Sequence, residues 1–280
     1  MHSSILVEIF ISTYNGDKYL GQQLDSLLSQ THKNLLITIR DDGSTDRTLD
    51  IISTYIKRYP KLIRLIPSTV NLGSTKSFLT LLNSAADESV LFMFCDQDDV
   101  WLDDKVSNSI AHFFNSEFLG PGVSFTDLTV VSSDLTIIHN SMMESMRINP
   151  SVVAANTCNL LSLNTVAGCT MTMNRHVLDL LATFKFPPKG VVHDHWISII
   201  VSHFGRVEYL DRSDILYRQH TENQVGSLVV NYKYLIGRFK SIGKTFTHDR
   251  SILTSLKPRI SLSPFLCLFY KIKSNLQRVF

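Results

Sequence analysis

The sequence predicts an α/β fold in which helices cover both faces of a mostly parallel central sheet, with a basic helical extension at the C-terminus. Apolar residues make up 44% of the 280 residues and charged residues 19%, as in a globular protein of one or two domains. Over the first hundred residues, short β-rich runs alternate with stretches whose apolar residues recur at helical spacing. This alternation indicates a parallel sheet, because successive parallel strands need a crossover helix between them.

The first half of the chain contains four predicted strands and three predicted helices. The strands are predicted at residues 5–11, 35–39, 62–66 and 90–94. Ser44 or Thr45 is the predicted cap of the second helix. The predicted inner helix faces are Tyr19, Leu20, Leu24, Leu27 and Leu28, then Leu49, Ile52, Ile56 and Tyr59, and then Phe78, Leu81, Leu82 and Ala85.

The second half of the chain is less regular. Residues 141–165 are rich in Ser, Asn and Met with weak periodicity, and we interpret them as a mobile region or part of a binding surface. The predicted elements are a strand at 123–131 interrupted by Asp127, a strand at 163–173 around Gly168, a helix at 194–204 and a strand at 207–217.

Charge is divided unevenly along the chain. From Tyr232 to the end there are ten Lys and Arg residues and one acidic residue, Asp249. The chain before Tyr232 contains 17 basic and 24 acidic residues. The acidic body favours cation binding, and the basic tail favours an anionic surface or packing as a helical appendage. The predicted boundary is Gly226–Ser227, which gives a body of 1–226 and a tail of 227–280.

The cysteines and the apolar segments indicate where in the cell the protein acts. The four cysteines lack paired metal-ligand spacing, so reduced thiols are expected. The N-terminus has no charged region followed by a long apolar stretch, so no signal peptide is expected. No apolar run reaches the roughly 20 residues of a membrane-spanning helix. A soluble or peripheral protein is therefore expected.

Polar clusters follow strands one, two and four, and a parallel sheet gathers such clusters at one edge. Asp96, Asp98 and Asp99 repel one another unless a cation is present, and Mg²⁺ or Mn²⁺ takes oxygen ligands that it shares with phosphates. The alternative is an acidic loop that caps a helix. The segment 41–44 has two interpretations, a turn with a helix cap or a hydrogen-bond acceptor for a base or ribose. In the segment 13–15, the aromatic side chain either stacks on a base or packs against the protein.

The histidines near Asp194 allow several interpretations. His193 and His195 with Asp194 could bind zinc, cap a helix, or surround a general base, although no third zinc ligand lies at recognisable spacing. His220, behind Arg218, is a candidate metal ligand or phosphate partner, or a structural histidine.

The order of these segments resembles glycosyltransferase family 2, inverting enzymes with the Rossmann-like GT-A fold. The resemblance covers about the first 225 residues and implies donor binding in residues 1–120 and sugar-acceptor binding with catalysis in 121–226. The matching segments are 9–15, 40–46, 71–73, 95–101, 165–171 and 192–196, with 216–226 typical of a rhamnosyltransferase branch.

The resemblance also implies roles for individual residues. Asp194 matches the general base, while His193 replaces the Glu that the family usually has before it. The implied donor-binding residues are Thr13, Tyr14, Asn15, Asp42, Lys76 and Asp98; the metal ligands are Asp96, Asp98, Asp99 and His220, holding Mg²⁺ or Mn²⁺; the supporting residues are Gly168, His193, His195, Trp196 and Arg218.

The expected reaction is metal-dependent transfer of rhamnose from dTDP-rhamnose to a hydroxyl of a lipid-linked glycan. The expected setting is O-antigen or lipopolysaccharide assembly, on the cytoplasmic side of a bacterial plasma membrane whose anionic surface the tail contacts. Two alternatives remain, namely another nucleotide sugar as donor and a non-catalytic binding module. A nicotinamide dehydrogenase is disfavoured because G-x-G-x-x-G is missing after strand one, and no nucleic-acid module is present.

Overall fold

A computed structural model describes residues 3–220, 242–257 and 259–278. The first elements are β1 (Val7–Thr13), α1 (Leu20–Ser29), β2 (Leu35–Asp41), α2 (Thr48–Arg58), β3 (Ile63–Ile66), α3 (Ser74–Leu82), β4 (Leu91–Cys95), β5 (Val100–Trp101) and α4 (Lys105–Asn115). They are followed by β6 (Gly122–Val131), β7 (Ile137–His139), α5 (Met142–Ser145), α6 (Pro150–Ala154), α7 (Thr157–Ser162), β8 (Met171–Asn174), α8 (Arg175–Leu181), α9 (His193–Phe204), β9 (Arg206–Arg218), α10 (Ile242–Leu256) and α11 (Pro264–Gln277).

The strands form one mixed sheet within the described part of the chain, in the order β3-β2-β1-β4-β8-β6-β9-β5, with β7 beside β6. The first four strands are parallel, as the β-α alternation predicts, and β6 is parallel to β9. β8 lies between β4 and β6 and is antiparallel to both. The predicted α/β class is therefore confirmed, with the antiparallel pairing concentrated in the second half.

Helices cover both faces of this sheet. Alternate residues of β1 point to opposite faces, so that Ile9 packs in one core and Phe10 in the other. The first core contains apolar residues of α1, α2 and α4, and the second contains those of α3, α8 and α9. This arrangement leaves the carboxyl ends of β1 and β4 open between the helix layers.

Three local predictions differ from the structure. α2 begins at Thr48, because Asp46 accepts a hydrogen bond from the Thr48 backbone N–H, whereas Ser44 instead bonds Asp41 and Asn15. Leu49, a predicted inner residue of this helix, is 43% exposed, while Ile52 is fully buried. The segment 163–173 is a strand only from Met171, since Gly168–Thr170 forms a 3₁₀ turn.

The weakly periodic segment 141–165 folds into three short helices. Ser141, Asn149 and Asn156 each accept a hydrogen bond from a backbone N–H in the first turn of α5, α6 and α7, respectively. The Ser- and Asn-rich composition therefore reflects helix capping. The predicted interruption at Asp127 is a shift in the pairing register of β6 with β9, and the Asp127 carboxylate accepts backbone hydrogen bonds from Met142 and Met143 at the start of α5.

The described part of the tail packs on the body of the protein. Apolar residues of α10 and α11, including Ile252 and Cys267, join a third core with Cys158 of α7 and Trp196 of α9. The predicted boundary at 226–227 lies outside the described residues. Among the described residues, no helix has both the length and the apolar character needed to cross a membrane.

Candidate active site

A cleft of about 670 Å³ lies where the carboxyl ends of β1 and β4 meet the start of α9. It brings together residues far apart in the sequence, among them Tyr14, Asp42, Asp98, Asp194 and His220. The prediction that the polar clusters share one edge of the sheet is confirmed for this part of the fold. A cleft of this size suits a small-molecule ligand such as a nucleotide.

The ends of β1 and β4 are joined beneath the cleft by a reciprocal pair of hydrogen bonds. The Tyr14 backbone N–H donates to Gln97 Oε1 at 2.9 Å, and Gln97 Nε2 donates to the Tyr14 carbonyl at 3.1 Å. Asn15 follows in the left-handed region at φ 48°, and its side-chain oxygen accepts from the Thr45 N–H. These bonds present the Tyr14 ring, 47% exposed, at the cleft.

Asp42 shapes the opposite wall of the cleft. Its carboxylate accepts hydrogen bonds at 2.7 Å from both the Leu72 and the Gly73 backbone N–H, and it forms a buried ion pair with Arg40. Gly73 has a φ of 76°, a conformation that favours glycine. Asp42 therefore fixes the 71–73 loop at the start of α3.

Two predicted donor-binding residues lie outside the cleft lining. Thr13 is fully buried, and its hydroxyl donates to Asp41 Oδ1 at 2.9 Å. Lys76 is exposed on α3, whereas Ser74 and Thr75 of the same turn line the cleft. Thr13 thus stabilises the strand ends, and Lys76 lies on the solvent side of the helix.

Asp96 and Asp98 face the cleft after β4. Burial, together with the neighbouring charges of Asp98 and Asp194, raises the pKa of Asp96 to about 7. Asp98 Oδ2 lies 2.9 Å from His220 Nε2. Two carboxylates and an imidazole therefore border one part of the cleft, and a bound cation would offset the carboxylate repulsion.

Asp99 points away from the cleft and is fully buried. Its Oδ1 accepts a hydrogen bond from the Arg218 backbone N–H at 3.1 Å. Burial and the charges of Asp96 and Asp98 raise the pKa of Asp99 well above its ordinary value. Ligand atoms of Asp96, Asp99 and Cys169 lie within 4.8 Å of one another.

The donor set fits a divalent cation at the cleft edge. Asp96, Asp98 and His220 all line the cleft, where a ligand phosphate could share the ion. The Asp96, Asp99 and Cys169 group is largely buried, and its thiol is a soft donor that Mg²⁺ disfavours. Asp98 and His220, with Asp96, are therefore the candidate ligands for Mg²⁺ or Mn²⁺.

Arg218 lies behind this cluster, almost fully buried. Its guanidinium donates to the Asp98 carbonyl at 2.7 Å and to Gln22 Oε1 at 2.7 Å. It also stacks 4.4 Å from the ring centre of Tyr19, and the His220 ring lies 5.0 Å from the same ring. Arg218 thus connects α1 and the chain leading to His220 with the acidic turn, residues 96–99 after β4.

Asp194 occupies the first turn of α9, where the helix dipole favours a negative charge. Its Oδ2 accepts from the Gly168 backbone N–H at 3.0 Å. Its Oδ1 accepts from Asn164 Nδ2 at 3.2 Å and from the His195 N–H at 2.6 Å. These hydrogen bonds hold the carboxylate at the cleft, where one of its oxygens can meet a ligand hydroxyl.

The residues around Asp194 point in different directions. His193 lines the cleft and stacks on Phe78 at 4.4 Å, and burial lowers its pKa. His195 turns inward, with Nε2 at 2.9 Å from the Leu160 carbonyl. Trp196 is 2% exposed within the third core. The structure therefore brings His193 and Gly168 to the cleft and assigns His195 and Trp196 to packing.

Several residues that line the cleft are not predicted as site residues from the sequence. Gln97 sits between two recognised aspartates, and Asn164 lies in the segment without periodicity. Phe78 and Tyr19 were predicted as helix core residues, and both also line the cleft. Only the position of Gln97 inside the acidic motif could have indicated its role.

Comparisons with known proteins agree with this geometry. A family model described as glycosyl transferase family 2 matches residues 8–158, more than half of the chain. The chain is 28% identical over 236 residues to the dTDP-rhamnosyl transferase RfbG of Shigella flexneri, covering 80% of this chain and 78% of that protein. It is 38% identical over 112 residues to the UDP-Glc:alpha-D-GlcNAc-diphosphoundecaprenol beta-1,3-glucosyltransferase WfaP of Escherichia coli, covering 40% and 42%, respectively.

A solved structure shares the fold. S. aureus TarS 1–349 in complex with UDP-GlcNAc superposes with a TM-score of 0.66 at 18% identity, over 99% of this chain and 73% of that chain. At this identity the likeness establishes the GT-A type of fold. The family match extends from β1 through the acidic turn into α7 and therefore includes most of the cleft wall. The chain belongs to glycosyl transferase family 2 and is a glycosyl transfer enzyme.

Proposed function

We propose that this enzyme transfers rhamnose from dTDP-rhamnose to a hydroxyl of a lipid-linked glycan, with inversion at the anomeric carbon. The observation that carries the proposal is the arrangement of one cleft. A hydrogen-bonded carboxylate, Asp194, faces the Asp98–His220 pair, and the Asp42 loop borders the same space. A proton acceptor and a phosphate-binding region therefore meet where the two substrates would react.

The relatives support the choice of substrates. A relative that matches over most of both chains is described as a dTDP-rhamnosyl transferase. WfaP, which matches over a shorter stretch, is described as acting on a diphosphoundecaprenol-linked sugar. We extend both properties to this chain, with O-antigen or lipopolysaccharide assembly as the setting.

Donor binding is assigned to the first half of the cleft. The exposed Tyr14 ring offers a stacking surface for the base, and the 71–73 loop held by Asp42 offers a wall for the nucleoside. Asp96, Asp98 and His220 would hold Mg²⁺ or Mn²⁺, with Asp99 buried behind them. When bound, the cation would neutralise charge on the diphosphate leaving group as a Lewis acid.

Asp194 acts as the general base in the proposed reaction. It accepts the proton of the sugar-acceptor hydroxyl while that oxygen attacks the anomeric carbon from the face opposite the diphosphate. The bond from the anomeric carbon to the diphosphate oxygen breaks, and its electron pair leaves with the nucleoside diphosphate. Gly168 and Asn164 keep the carboxylate directed at the cleft.

The tail supports a location at the inner face of a bacterial plasma membrane. The tail has ten basic residues and one acidic residue, and its exposed basic side chains, among them Lys257 and Lys273, favour an anionic lipid surface. A lipid-linked sugar acceptor would be presented at that surface. We therefore propose a cytoplasmic, peripheral membrane enzyme.

A donor panel tests the proposal. The full chain is incubated with dTDP-rhamnose, UDP-glucose, UDP-GlcNAc or GDP-mannose, with Mn²⁺ and a membrane lipid extract, and nucleoside diphosphate release is measured. We expect release from dTDP-rhamnose that depends on the lipid extract and stops with a chelator. Release from another donor would refute the sugar assignment, and donor binding without release in any extract would favour a binding module.

A further inference from the structure

Helix α11 buries polar side chains beside Cys267 and exposes large apolar ones, unlike an ordinary surface helix. Cys267, Lys271 and Ser274 are buried at a spacing of one helical face, and Arg278 continues that face beyond the helix. Lys271 Nζ donates to the Asp249 carboxylate of α10 at 2.6 Å. Charged and polar side chains therefore face the protein.

The outward face of α11 is apolar. Phe265 is 78% exposed, Phe269 60%, Leu266 48% and Ile272 36%. At about 100° per residue these side chains and Lys273 share one side of the helix. A surface helix in water normally directs such residues toward the core, so the exposure of these side chains indicates an interaction surface.

The charges near this surface restrict the kind of partner. Among the residues of 247–257, 259–274 and 278, whose side chains the structure describes, the exposed charged side chains are Arg250, Lys257, Arg259 and Lys273. The acidic residue of this region, Asp249, is buried in its ion pair with Lys271. A second copy of the chain would bring the same cations together, whereas an anionic bilayer offers opposite charge and an apolar interior.

We propose that the outer face of α11, formed by Phe265, Leu266, Phe269 and Ile272 with Lys273, inserts into the interface of an anionic lipid bilayer. This inference rests on the proposed function, since a lipid-linked sugar acceptor places the reaction at a membrane. It assigns the contact to one face of one helix.

α11 also packs on α7, which leads directly into Asn164 and Thr165 of the cleft wall. Bilayer contact is therefore only one helix layer from the Asp194 side of the cleft.

Vesicle sedimentation of the full chain tests this surface without donor, metal or sugar acceptor. The vesicles contain phosphatidylcholine alone or phosphatidylcholine mixed with phosphatidylglycerol. We expect binding to the anionic vesicles and a loss of at least about 10-fold in the partition coefficient for Phe265→Ser/Phe269→Ser. Lys273→Glu should weaken binding to the anionic vesicles. Leu119→Ser, at a 99% exposed position of the body, is the matched control and should bind as the parent chain does.

Three outcomes would overturn the assignment. They are no vesicle binding by the parent chain, unchanged binding by the double variant with an unchanged melting temperature, and equal binding to neutral and anionic vesicles. Analytical ultracentrifugation adds a fourth, namely self-association that the double variant abolishes while vesicle binding persists. Because none of these measurements needs turnover, a failed donor panel with normal vesicle binding would refute the proposed function alone.

Discussion

Asp194, the proposed general base, is held in place by several hydrogen-bond donors. Its two oxygens accept hydrogen bonds from Gly168, Asn164 and the His195 backbone, at the positive end of α9. The sequence motif identified the residue, but not these donors. The Gly168 contact requires the 3₁₀ turn, because a regular strand there would direct its N–H to a neighbouring strand.

Asp194→Asn should leave a folded protein with little activity. The amide keeps one acceptor oxygen, for either the Gly168 or the His195 N–H, and cannot take a proton, so we expect turnover to fall by about 10²–10⁴-fold with a small decrease in melting temperature. Nucleoside diphosphate release measures the loss. Asn164→Ala, which removes one donor to the carboxylate, serves as the milder comparison. Turnover near that of the parent chain in Asp194→Asn would exclude it as the base.

Arg218→Lys should weaken divalent cation binding. Lysine lacks the planar fork that contacts the Asp98 carbonyl and Gln22, so the acidic turn and His220 lose their common support. We expect the Mn²⁺ concentration for half-maximal activity to rise about 10-fold, with a loss of about 1–3 kcal/mol in unfolding free energy. Arg212→Lys, in a half-exposed ion pair of the same strand, is the control and should leave Mn²⁺ dependence unchanged.

At the scale of elements, the first turn of α9 shows how helical geometry separates neighbouring residues. His193 faces Phe78 and the cleft, whereas His195 faces the Leu160 carbonyl in the interior. Successive residues on a helix point about 100° apart, so a short His-Asp-His motif cannot place all three side chains in one site. The zinc interpretation of this motif has no geometric support here.

The two buried histidines of this turn should make the folded protein less stable at acidic pH. Burial lowers the pKa of both His193 and His195, although Asp194 partly offsets the effect. Below pH 6.5, the ordinary pKa of histidine, the unfolded chain therefore binds protons that the folded chain does not. The unfolding free energy consequently decreases as the pH is lowered. His195→Gln should flatten this dependence in urea titrations. An unchanged slope would assign the acid sensitivity to other groups.

At the scale of the whole molecule, the mixed sheet brings two halves of the chain to one cleft. β8 joins β4 to β6 in antiparallel pairing, and this pairing carries the Gly168 turn to the edge where the acidic residues end β4. The cleft walls thus come from parts of the chain that are about a hundred residues apart. Any ligand that bridges them should couple to global stability.

Mn²⁺ should raise the melting temperature of the full chain. A cation bound between Asp98, Asp96 and His220 would offset the burial and the carboxylate repulsion that together raise the pKa of Asp96. At a free concentration about 100 times the Kd, the expected gain is about 2.7 kcal/mol. Asp98→Asn should abolish the shift, whereas Asp134→Asn, in an exposed turn, should retain it. An equal shift in both variants would place the cation elsewhere.

The sequence by itself determined the β-α alternation of the first hundred residues, the polar residues at the strand ends and the basic character of the tail. These features are local, because hydrophobic periodicity and turn residues depend on near neighbours in the chain. Only the tertiary structure decided that Asp98 faces the cleft while Asp99 is buried, that β8 runs antiparallel, and that α11 turns Phe265 outward. Those outcomes depend on which distant surface each element packs against, and a local pattern does not encode that choice.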